Sequence, residues 1–240
     1  MIWLVALLAC SAPAETPVAS TPTPAATPAP AALTYEVWQS PADATGALPT
    51  VIAMHGLGDR PDRFIGLYKG LEGPVRVIAP AAPLPWSTNT SWFEMRVSES
   101  TDAAMAAEMR GRVGDVLALI DAVQARYGIA GKPVVTGFSQ GAMLSYAVAA
   151  VAPDRIAGAV PISGMVPQAL LPARGSSVPV RAVHGTADSV LAHAPTAAAV
   201  EAWRGRGGDV TLTSYDGVDH TVSAEMRARV YADIEAMLSR

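Results

Sequence analysis

Lys132–Met143 reads KPVVTGFSQGAM. An apolar, β-branched run ends at Ser139, which is fenced by Gly137 and Gly141, and a second apolar run starts at once. Glycine weakens a strand or helix unless the backbone needs its freedom. Two glycines around one polar residue therefore point to a turn too tight for side chains. Read as strand, turn and helix, the stretch fits G-x-S-x-G, in which a strained turn lifts one hydroxyl clear of a parallel sheet. A plain strand-to-helix turn is the other reading of the same letters, so the rest of the chain has to support the first.

Outward from this turn the chain alternates. Leu48–Gly56, Pro74–Pro80, Pro133–Phe138, Ile156–Gly164, Val178–Gly185 and Asp209–Gly217 are short apolar or β-rich runs bounded by Gly, Pro or Asp, and they predict strands. Thr101–Gly128 predicts a long helix: Met105, Met109, Val113, Val116, Leu117, Ile120 and Val123 recur at three- and four-residue steps, and Gly128 suits its end. Gly111 and Gly114 weaken that helix by about 1 kcal/mol each against Ala. Gln140–Ala152, Pro195–Gly207 and Ser223–Leu238 predict further helices. Strands alternating with helices imply an α/β fold, a mostly parallel sheet flanked by helices on both faces. Ligand sites in such sheets lie beyond the carboxyl ends of the strands, so the residues that follow strands carry the information.

A serine hydroxyl needs a neighbouring base. The chain has four histidines. His55 ends a strand in MHGLGD, His184 follows one in VHGTAD and reads as a packed residue shaping its loop, and His193 falls at a loop or helix start. His220, in GVDHTV, lies between the last strand and the last helix, late enough for the chain order serine, acid, histidine. Asp188, just past Val178–Gly185, fits the acid that holds the imidazole tautomer. Asp219 and Asp216 are the alternatives; Asp219 adjoins His220 and reads more readily as a turn residue. An anionic intermediate also needs backbone N–H donors. Gln140, after the serine, and Leu57, in the Gly-rich HGLGD loop, are the candidates. An ordinary Gly-rich turn is the other reading of that loop.

The 240 residues are 50% apolar and 16% charged, enough for one domain with a sizeable core. A net charge of −4 argues against a nucleic-acid partner. A single cysteine, Cys10, excludes an internal disulfide and a cysteine zinc site, and with four scattered histidines no zinc-binding spacing remains, so no metal is expected. MIWLVALLAC, residues 1–10, is too short to span a bilayer but suits the apolar region of a secretory signal. Its LLAC resembles the lipobox of bacterial lipoproteins, which implies a lipidated Cys10, a membrane anchor and a cell-envelope location. No Lys or Arg precedes the apolar run, a departure from that pattern. Residues 11–32, rich in Pro, Thr and Ala, read as an extended linker that could reach roughly 60 Å. The folded domain is expected over 33–240.

HGLGD, SWFEM, GFSQGAM, HGTAD and the late DH together resemble the phospholipase/carboxylesterase family of α/β-hydrolases, which includes the acyl-protein thioesterases. The resemblance runs from about Pro49 to the C-terminus. It implies a Ser139-Asp188-His220 triad, an oxyanion hole at Leu57 and Gln140, and esters or thioesters as substrates without a cofactor. It also places Trp92 and Phe93 beside the active site as substrate contacts, with core packing as their other reading. The family usually has Pro after the HGTAD aspartate; Ser189 stands here, which implies a looser loop. An envelope location favours small carboxylic esters or lipid acyl esters. The expectation is a serine esterase. A catalytically idle lipoprotein of the same fold and a secreted polyester or aromatic-ester depolymerase are the competing readings.

Overall fold

The structure, a computed structural model, describes residues 33–239 apart from Met95 and Ser177. Cys10 and the 11–32 linker lie outside the described residues. Seven strands form the main sheet: β1 (Tyr35–Ser40), β2 (Thr50–Met54), β3 (Val75–Pro80), β6 (Val134–Phe138), β7 (Gly158–Ile162), β8 (Val180–Gly185) and β9 (Val210–Tyr215). They lie in the order β1-β3-β2-β6-β7-β8-β9. Only β1 runs antiparallel, pairing with β3 from Tyr35 opposite Pro80 to Ser40 opposite Val75.

The described residues also form five α-helices: α1 (Pro61–Phe64), α2 (Asp102–Tyr127), α3 (Gln140–Val151), α4 (His193–Gly205) and α5 (Ala224–Leu238). Adjacent strand residues point to opposite faces, and the core divides accordingly. Ile52, Ile78, Val135 and Ala182 pack with α2, α3 and α4; Val51, Val77, Val134 and Val183 pack with α1 and α5. This is the mostly parallel sheet, flanked by helices on both faces, that the alternation predicts, and the α/β-hydrolase arrangement that the resemblance implies. Helix α3 is apolar all round because it is buried almost all round, as such a helix must be.

Helix α2 begins at Thr101, whose hydroxyl accepts the Ala104 N–H, and ends at Gly128, where φ is +72°. Six of the seven predicted stripe residues are buried, but Leu117 is only half-buried and Leu119 takes a full core place. The reading also missed β1, the short α1, and a hairpin of β4 (Leu84–Trp86) and β5 (Asn89–Ser91). β1 is an edge strand with mostly exposed or half-buried residues, and three-residue strands are too short to show a period. The hairpin matters because it brings Trp86, Ser91 and the segment after it over the carboxyl end of the sheet. Among the described residues no helix is long and apolar enough to cross a membrane.

Candidate active site

Ser139 sits between the last residue of β6 and the first of α3, with φ +55° and ψ −116°. L side chains rarely adopt such values, and they persist only where the surroundings impose them. Here its N–H donates to the Ile162 carbonyl and its own carbonyl accepts the Met143 N–H, both at 3.0 Å. The flanking glycines are a packing requirement. A Cβ on Gly137 would stand 2.4 Å from the Met54 carbonyl oxygen, and one on Gly141 only 1.9 Å from the same atom. The end of β2 thus runs directly beneath the turn.

Ser139 Oγ lies 3.0 Å from His220 Nε2, and His220 Nδ1 lies 2.8 Å from Asp188 Oδ2. An ionised carboxylate only accepts, so Nδ1 carries the His220 proton and Nε2 is free to accept the serine proton. Asp188 Oδ1 accepts the N–H groups of Val190 (3.0 Å) and Leu191 (2.7 Å). Burial alone would push this carboxyl up. The His220 hydrogen bond and the Leu191 and Val190 amides outweigh it and hold Asp188 below the usual carboxylate range.

Gln140 opens α3, so its N–H has no intrahelical acceptor. Leu57 lies in the loop after β2. Neither N–H donates to an acceptor among the described residues, and both residues line one cleft with Ser139. The Leu57 loop is held from three sides. Gly58 donates to Thr90 O at 3.0 Å, Asn89 Nδ2 donates to Gly58 O at 2.9 Å, and His55 packs beneath. The Ala82 N–H donates to His55 Nε2 at 3.2 Å, so the proton is on Nδ1, which donates to Gly56 O at 2.7 Å. Burial keeps this imidazole neutral by lowering its pKa. The cleft is about 480 Å³ and has apolar walls of Leu57, Phe93, Met143, Val190 and Leu191. Leu57 and Val190 are exposed at its rim.

Residues 34–238 match the profile of the Phospholipase/Carboxylesterase family. The chain belongs to that family. It is a serine-type ester hydrolase, as the family's members are. Acyl-protein thioesterase 1 of Candida albicans is 25% identical over 225 residues, 83% of this chain and 96% of the relative. The protein of the same name from Yarrowia lipolytica is 31% identical over 159 residues, 59% of this chain and 70% of the relative. Among solved structures, esterase PE8 superposes with a TM-score of 0.74 at 22% identity, covering 86% of this chain and all of that one. Zea mays acyl-protein thioesterase 2 gives 0.67 at 24% identity, covering 85% and 99%. At these identities the two structures show a shared fold.

In this phospholipase/carboxylesterase chain the fold brings together Ser139, Asp188, His220, Leu57 and Gln140 and splits the Trp92-Phe93 pair. Phe93 lines the cleft. Trp92 does not: it is fully buried, its indole N–H donating to His55 O at 2.9 Å, and the substrate contact expected of it is corrected to core packing. Nothing in the residue pattern signals what the Gln140 side chain does. Its Oε1 accepts the Ser91 hydroxyl at 3.1 Å and the Trp92 N–H at 3.0 Å, pinning the segment after β5 to the start of α3. Asp219 makes no hydrogen bond to the His220 ring among the described residues. Its Oδ1 accepts the Ser189 N–H (2.8 Å) and hydroxyl (2.7 Å) and the His220 N–H (2.7 Å). The Ser189 bonds and then the His220 amide hold its carboxyl below the usual range. The loop expected to be looser for want of a proline is instead tied down through two Ser189 donors, neither of which proline has.

Proposed function

We propose that the protein cleaves carboxylic esters, thioesters included, through an acyl-enzyme on Ser139. The observation that carries this reading is the unbroken chain from Ser139 Oγ to His220 to Asp188, facing two unused backbone N–H groups. Ser139 Oγ attacks the acyl carbon as its proton passes to His220 Nε2. The oxyanion accepts hydrogen bonds from the Leu57 and Gln140 amides, and the positive end of α3 adds to their effect. The intermediate collapses, His220 gives its proton to the departing alcohol or thiol, and the acyl group stays on Ser139. Water then attacks, losing a proton to His220, and the carboxylic acid leaves as Ser139 is reprotonated. Asp188 stays ionised throughout and stabilises the imidazolium.

The apolar walls support an acyl group of short to medium length, held by burial at about 0.8 kcal/mol per CH₂. Small carboxylic esters and lipid acyl esters fit these walls, and the thioesterase names of the relatives support thioesters as well. The LLAC and linker segments support placing the domain at a membrane surface through Cys10. The test is labelling with a fluorophosphonate followed by peptide mass spectrometry. A single adduct on Ser139, absent after heating and in Ser139→Ala, is expected. An unlabelled, correctly folded protein would overturn the proposal.

A further inference from the structure

A second histidine reaches the same carboxylate oxygen as His220. His184 Nε2 lies 3.1 Å from Asp188 Oδ2 and 2.9 Å from the Leu191 carbonyl. Both partners only accept, so Nε2 must carry the proton and divide it between them. The opposite ring nitrogen, Nδ1, is buried with no hydrogen-bond partner among the described residues. A proton there would be buried and unsatisfied, so the geometry keeps the ring in one neutral tautomer. The two side chains are 1% and 0% exposed, which shields the contact from bulk water.

This contact closes a small ring of interactions. Asp188 Oδ1 takes the Val190 and Leu191 amides, while His184 takes the Leu191 carbonyl and Asp188 Oδ2. Val190 and Leu191 are also walls of the cleft. One neutral imidazole therefore joins the acid, the turn after it and the apolar wall. We infer that His184 is a positioning residue, whose Nε2–H fixes Asp188 Oδ2 and withdraws part of its electron density from His220. The inference rests on the proposed roles of Asp188 and His220.

The direction of the effect follows. With the His184 donor gone, Oδ2 has one proton fewer to share and becomes a stronger acceptor for His220 Nδ1. The His220 imidazolium is then favoured. The surrounding groups stay as they are. His193 stands edge-on to His184 at 5.5 Å. Phe138 packs on His220 at 4.7 Å, Asp219 accepts its amide, and Asp59, Arg63 and Arg227 line the hollow beside it.

The experiment is ¹⁵N NMR of the histidine side chains in the full chain, for the unsubstituted protein, His184→Phe and His184→Gln. Phe keeps a ring and loses the donor; Gln places an amide N–H near Nε2. In the unsubstituted protein His184 should be the neutral Nε2–H tautomer from pH 6 to 9. His184→Phe should move the His220 titration midpoint up by about half to one pH unit, and the acid limb of kcat/KM should move with it. His184→Gln should leave both in place. An Nδ1–H tautomer of His184 overturns the inference without any variant having to fold. So does a His220 midpoint that stays put in His184→Phe, or one that moves equally in His184→Gln, since a merely structural role would lower activity without moving a titration. The NMR readings need no turnover, so an unlabelled Ser139 would sink the esterase proposal, whereas a wrong His184 tautomer or an unmoved His220 midpoint would sink this inference alone.

Discussion

Replacing Asp188 by Asn tests the proposed acid, and the structure says why so small a change should be costly. The carboxylate accepts four hydrogen bonds: Val190 and Leu191 N–H on Oδ1, His220 Nδ1 and His184 Nε2 on Oδ2. An asparagine can accept on one side only. The two amides cannot turn away, so its oxygen faces them and its NH₂ faces the histidines. His220 then accepts at Nδ1, its proton moves to Nε2, and the nitrogen facing Ser139 can no longer take the serine proton. The loss of the right tautomer should cost on the order of 10⁴ in kcat, about 5.5 kcal/mol of transition-state stabilisation at 1.36 kcal/mol per decade. Asp219→Asn should cost less than about tenfold, because one carbonyl oxygen can keep the three donors that Oδ1 now accepts. The assay is kcat for nitrophenyl butyrate at pH 8, with circular dichroism and melting to show that each variant is folded. A folded Asp188→Asn with more than a tenth of full activity would refute the reasoning, and loss in Asp219→Asn alone would move the acid there.

Phe93→Ala should change how kcat/KM depends on acyl length, weakening longer nitrophenyl esters more than acetate, because its ring lines the cleft. Trp92→Ala should instead lower stability by about 3–5 kcal/mol with the length profile unchanged, and a flattened profile in Trp92→Ala alone would restore Trp92 as a substrate contact. Burial holds His55 and His184 below the ordinary imidazole value. The unfolded chain therefore binds protons first. Their contribution to stability is complete above about pH 6.5 and is lost as pH falls, by up to about 1.4 kcal/mol per pH unit for each ring. Asp188, held low in the fold, adds a loss of the same sign below about pH 4. A urea midpoint that stays flat from pH 7 to pH 5 would contradict the two buried neutral rings. Cys10→Ser should move the protein out of the detergent phase on Triton X-114 partition; intact mass spectrometry showing Met1 and an unmodified Cys10 would refute the anchor.

The parts of this protein legible in its sequence are those set by neighbours along the chain. The turn at Ser139 is local: two glycines, a β-branched run before and an apolar run after mark it, and the strands and helices on either side favour an elbow over a plain turn. Asp188 and His220 were legible because each follows a strand, and from β6 to β9 chain order is also spatial order along the carboxyl edge of the sheet. Leu57 was legible for the same reason, through the glycines beside it. The edge strand β1 and the β4–β5 hairpin were not, because their pairing partners lie elsewhere and their own letters carry no period. Trp92 and Phe93 are adjacent in sequence, yet one is sealed in the core and the other faces the cleft, a choice made by the Gln140 side chain and the His55 carbonyl. Tertiary structure alone put His184 on Asp188 and tied Ser189 to Asp219. A hydrogen bond depends on angles and distances of tenths of an ångström, and only the packing of the sheet against its helices sets those.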